Sequence, residues 1–216
     1  MSILNQISIP DVFIIFFLTL GPLKAIGPFA RVTRGADPAL CRSLAWRATL
    51  IATVIVLIVA LLGAFILKNW RVSLPAMIIA GGLILFLQAL QMILAPPAAP
   101  SQAPPADDQP PPSLALAHFP LAIPALVTAP GITAIVAFMA IAAGDWGQKG
   151  IVIALLLFIM ALNLLALLNV RQIFQYVSPT ILLVLGWVMA VMQAALAAQY
   201  VINALIRLGA LPHMVS

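Results

Sequence analysis

The sequence predicts an all-α polytopic membrane protein, with six transmembrane helices as two inverted three-helix repeats and the first and fourth helices broken. Three observations predict it. Of 216 residues, 64% are hydrophobic and only 7% charged, at a mean hydropathy of +1.19; soluble domains sit at roughly 45–50% apolar and about 25% charged. Apolar runs of about 20 residues, the length that crosses a bilayer core, can be laid out six times. The Pro/Gly interruption in the first run returns in the fourth.

Charge excludes other classes. The net +5 comes from ten Lys/Arg against five acidic residues, all aspartate. The basic residues flank apolar runs, where they set topology, and form no patch with interleaved aromatics, so a nucleic-acid partner is not expected. The single Cys41 excludes an intrachain disulfide. Met1 to Asp11 has no basic n-region, so a cleaved signal peptide is not expected.

The first span runs from about Ile9 to Arg31 and contains "GPLKAIGP". The second, about Pro38 to Leu67, opens on Asp37-Pro38, an N-cap followed by proline where a missing N–H costs nothing. Arg42 and Arg47 in its first turns place that end in water. The third, Leu74 to Leu94, follows Ser73. The fourth, about Phe119 to Ala143, holds Pro120, Pro124, Pro130 and Gly131. The fifth, about Gly150 to Val170, carries Asn163, and the sixth, about Ser178 to Leu208, carries Gln193, Gln199 and Asn203.

Residues 1–95 thus form the first repeat and 119–216 the second. Between them, residues 96–118 are Pro/Ala-rich; such a composition cannot bury a core and reads as a disordered linker. Arg31, Arg34, Arg42, Arg47 and Arg171 fall on one side of six spans, and Lys68, Arg71, Lys149 and Arg207 on the other. The excess around the first connection makes that side cytoplasmic, the linker cytoplasmic and both termini periplasmic.

"LTLGPLKAI" (Leu18 to Ile26) aligns with "VTAPGITAI" (Val127 to Ile135), each with a threonine just before the break. Gly81 and Gln88 match Gly186 and Gln193. The offsets, Pro22 to Pro130 and Gly81 to Gly186, are 108 and 105 residues, near-constant as a duplicated unit requires. Three spans is an odd number, so the second copy enters the membrane from the opposite side. Paired interruptions in two inverted halves point to a transporter with a midplane site.

The chemistry of the interruption explains why. Pro22 has no N–H and crowds the carbonyl of Leu18; Pro28 does the same to Lys24. Backbone groups freed in hydrocarbon survive only inside protein or beside water. Breaks at Gly21-Pro22 and Pro130-Gly131 therefore mark either a lined cavity or a pair of kinks healed by neighbouring helices.

At these residues the chain resembles the MarC family of bacterial inner-membrane proteins, within the lysine-exporter-like transporters. The resemblance rests on "GPLKAIGPF", "SLPAMIIAGGLILFLQALQMIL", "FPLAIPALVTAPGITAI" and "AAQYVIN". It implies six inner-membrane spans and a role in solute transport. Relatives usually carry Asp or Asn where Gly21 stands, often a second amide at Ala25, and arginines at Ile78 and Leu183; Lys24 stands where a small residue is common.

Lys24 lies about 15 residues into the first span, roughly 22 Å along a helix. It either faces a cavity, where an anionic group would be its ligand, or snorkels to the interface. Thr19, Thr128 and Thr133 are placed to bond freed carbonyls. Gln88, Gln193 and Asn163 either glue helices or line a cavity, and Gly81-Gly82 permits close helix approach. His118 and His213 have no metal-ligand partner at useful spacing, so no metal or other cofactor is expected. No Glu, His pair or clustered Asp lies within the spans to supply acid–base catalysis, so an enzyme is not expected.

Two readings follow. The first is a transporter or exporter of a small polar or anionic solute, its site lined by Thr19, Gly21, Pro22, Lys24, Thr128, Pro130 and Gly131, with Gln88, Asn163 and Gln193 nearby. The second is a non-transporting structural or partner-binding membrane protein. The expected partners are the lipid bilayer and the solute; assembly with further copies of the chain stays open.

Overall fold

A computed structural model describes residues 9–33, 35–94, 114–176 and 179–210. Every regular element among the described residues is helical. Most of the predicted linker, residues 96–113, lies outside them.

The first span divides where the sequence predicts. Helix α1 (Ile9–Leu20) ends before Gly21, whose backbone is extended (φ −73°, ψ 167°), and α2 (Pro22–Val32) starts on Pro22. The two halves still make one apolar stretch of 24 residues. Pro28 does not break α2; the helix runs through it. One missing N–H within a helix is tolerated where neighbours enclose it.

Helix α3 (Pro38–Asn69) is capped by Asp37, which accepts from the Ala39 amide at 3.2 Å. Its 32 residues reach about 48 Å, beyond the roughly 30 Å of hydrocarbon. Ala45, Ala48, Ala52, Val56 and Ala60 are fully buried along one face, a small-residue seam that admits close neighbours. Helix α4 (Leu74–Leu94) matches its predicted bounds, and the Ser73 hydroxyl accepts from Ala76 N at 3.3 Å.

The fourth predicted span departs most from a simple rod. Residues His118–Leu126 form a kinked lead-in, with Phe119 and Ile123 in extended backbone. It meets α5 (Ala129–Ile141) at a 54° bend. The break therefore falls at Val127–Thr128, not at Pro130-Gly131, because proline in the first turn of α5 needs no N–H and starts a helix rather than ending one. Helix α6 (Trp146–Leu168) begins four residues before the predicted Gly150, since Asp145 caps it through the Gly147 amide at 2.7 Å. A short α7 (Val170–Tyr176) then leads to α8 (Pro179–Arg207). Among the described residues, five helices are long and apolar enough to cross a membrane, or six if the bent pair counts as one span.

The packing has two bodies. Helices α1 and α2, α3, the lead-in, α5 and α6 share a core that includes Val12, Phe16, Leu20, Phe29, Leu44, Leu121 and Leu156. Helices α4 and α8 pack chiefly on each other and reach that core mainly through α5. Ala190, Ala197 and Ala204, seven apart, are buried on α8, the repeat of a left-handed coiled-coil seam. A Cβ on Gly82 would press on Val201 and the Ala197 carbonyl across that seam. Arg171 donates from Nη2 to Ala36 O at 2.6 Å, so the loops after the first and fifth predicted spans share one end of the bundle.

Candidate functional site

The break after α1 strips three consecutive carbonyls of their helical partners. Pro22 has no amide for Leu18, and the extended Gly21 carries the next residues out of register. Side chains from three other elements replace the lost donors. Gln193 Nε2 of α8 donates to Leu18 O at 2.7 Å. Thr128 Oγ1, at the second break, donates to Thr19 O at 2.8 Å. Asn163 Nδ2 of α6 donates to Leu20 O at 2.7 Å and to Ile159 O at 3.0 Å. All three side chains are buried, at 1%, 4% and 0% exposure.

The two breaks are thus tied directly together. Thr128 Oγ1 also accepts from Gly131 N at 3.1 Å and caps α5. A Cβ on Gly131 would run into the Leu20 side chain, so only glycine lets the second half-helix seat against the end of the first. A Cβ on Gly21 would run into the Phe17 carbonyl. The Thr19 hydroxyl turns back to Ile15 O at 2.6 Å. Asn163 Oδ1 is buried with no donor among the described residues.

Lys24 reaches across to α4. Half-buried one turn into α2, it donates from Nζ to Gln88 Oε1 of α4 at 3.3 Å. Gln88 and Gln193, matched in the sequence, therefore both reach the first span, one on each side of Gly21.

A cavity of about 170 Å³ lies to one side of this junction between α1, α4, α5 and α8. Of the ten predicted site residues only Thr19 and Pro130 line it; Gly21, Pro22, Lys24, Gln88, Thr128, Gly131, Asn163 and Gln193 do not. Its walls come from Ile15 and Thr19 in the second half of α1, the first half of α4, the length of α5 and the last turns of α8, where the lining residues Asn203 and Arg207 are exposed. Tyr200, Asn203 and Arg207 also line it. Sequence reasoning missed Tyr200 and Arg207 there and gave Asn203 no role; the signal was their recurrence at i, i+3 and i+7 along one helix face. Among the described residues no cluster of His, Cys or acidic side chains could hold a metal.

Apolar helices of membrane-crossing length, packed through alanine and glycine seams and knotted at two mid-span breaks, define a multi-pass integral membrane protein. Residues 7–208 match the profile of the MarC family integral membrane proteins, and the chain belongs to that family. It is 31% identical over 193 residues to a UPF0056 membrane protein of Methanocaldococcus jannaschii, over 87% of this chain and 90% of that protein. No solved structure matches.

Proposed function

We propose that this protein is a non-enzymatic secondary transporter or exporter of a small polar or anionic solute in the cytoplasmic membrane, with both termini outside. In this reading the chain is two inverted three-span repeats, α1–α4 answering the lead-in, α5, α6 and α8. The observation that carries it is the meeting of the breaks: Thr128, ahead of one half-helix, bonds the Thr19 carbonyl that ends another. Discontinuous helices facing each other at mid-depth are how alternating-access proteins build a site. The contact pattern supports the repeat, since α3 meets the lead-in and α5 while α6 meets α1 and α2. A cavity that borders the junction at Thr19 and Pro130 fits one of two alternating states.

Flux into proteoliposomes tests this, read with accessibility. Cysteines at Ile78 and Ala137, in a Cys41→Ala background, should react with a polar maleimide from one side only, and solute should change that rate. No flux across solute classes and unchanging labelling would refute it. A specific observation favours the second reading, a partner-binding protein without flux: the amides and hydroxyls at the junction are already bonded to backbone. Lys24→Ala separates the two, because it should alter flux in the first and leave any partner bound in the second.

A further inference from the structure

We propose that the cavity between α1, α4, α5 and α8 binds a small monocarboxylate with an apolar body about the size of a benzene ring, its carboxylate held at the mouth by Arg207. This rests on the transport reading and narrows its solute class. Size comes first: about 170 Å³ is close to the roughly 150 Å³ hole that takes up benzene in a protein core. The wall chemistry comes second. Ile15, Ile78, Leu85 and Phe138 supply apolar surface. Of the lining hydroxyls, that of Thr19 is engaged with Ile15 O at 2.6 Å and that of Thr133 with Ala129 O at 3.1 Å, while Tyr200 stands on α8 with Asn203 and Arg207. A polyol or sugar would enter without donors to meet its oxygens, a desolvation cost with no return.

The polar groups converge only at the mouth, on one face of α8. Asn203 Oδ1 accepts from Gln199 Nε2 at 3.0 Å, and its own amide nitrogen stays free to donate among the described residues. Arg207 is exposed and forms no ion pair among them. Asp11, near Tyr200, is exposed at the start of α1 and does not line the cavity. An apolar interior under a cation and an amide donor is complementary to an amphipathic anion.

The test is binding of 4-fluorobenzoate to the full chain in phosphatidylcholine nanodiscs, followed by fluorine NMR and competed with benzoate, benzamide and benzylamine. Benzoate should compete best. Arg207→Gln should weaken it about tenfold and erase its advantage over benzamide, the lower end of what a charged hydrogen bond contributes; Arg207→Lys should restore part of it. Ala137→Phe, or Ala134→Leu if the first misfolds, should abolish binding by filling the cavity. Equal competition by the three compounds, preference for benzylamine, or displacement by phosphatidylglycerol at constant ligand would overturn the proposal, the last by giving the cavity to lipid. Benzoate binding without flux would sink the transport reading and leave this site standing. Flux of another solute without benzoate binding would sink this proposal alone.

Discussion

Gln193 and Asn163 are buried amides of like chemistry that bond carbonyls two residues apart, yet their loss should not cost the same. Replacing Gln193 with the near-isosteric methionine leaves Leu18 O, bonded at 2.7 Å in the native chain, without that donor. An unmet buried group costs about 1–3 kcal/mol, and interhelical bonds in membranes run at about 0.6 and up to about 1.7 kcal/mol. A loss of about 1–2 kcal/mol is expected. Asn163→Leu likewise deprives Leu20 O, but Ile159 O keeps its place in the α6 ladder. It also removes Oδ1, an acceptor buried with no donor among the described residues. Two opposed terms of about the same size should leave a net change within about 0.5 kcal/mol. Unfolding in mixed micelles titrated with dodecyl sulfate, read by tryptophan fluorescence, resolves that gap. Equal losses, or a larger loss for Asn163→Leu, would refute the reasoning and show that Oδ1 meets a donor.

Three further outcomes are expected. Gly21→Ala drives a Cβ into the Phe17 carbonyl and should cost about 1–3 kcal/mol, whereas Gly27→Ala, with nothing within 4 Å of the new atom, should be neutral or stabilising in the same titration. Lys24→Met removes a half-buried cation that donates to the neutral Gln88 amide; the unfolding midpoint should rise while flux falls, and a lower midpoint would mean the ammonium holds α2 to α4. Arg171→Gln releases Ala36 O and the Cys41 thiol, 2.6 and 3.6 Å from Nη2, so Cys41 should react several-fold faster with maleimide at little cost in stability; an unchanged rate would count against the clamp.

Much of the fold was readable because a bilayer leaves few options. Apolar length set α3 and α4, Asp37 and Ser73 marked helix starts through side-chain caps, and Pro22 marked a break because it lacks an amide. The second break was displaced because proline at the head of a helix and proline that ends one look alike in sequence. The true boundary was written in Thr128, whose hydroxyl caps α5. Periodicity could say that Gln193, Asn163 and Thr128 were unusual in apolar surroundings, but not that all three turn toward one stretch of backbone. Lys24 was undecidable for the same reason: its course depends on Gln88, 64 residues away. Arg207 was missed because a basic residue at a span end is the ordinary topological signal.

The pairing of α4 with α8 has a mechanical consequence. Two rods zipped to one another more firmly than to their surroundings tilt together, as a single lever. That lever is tethered to the first span twice, by Gln88 beyond Gly21 and by Gln193 before it. Under the proposed transport reading, a rock in either direction would slacken one tether and tighten the other, and so keep one end of the bundle shut while the other opens.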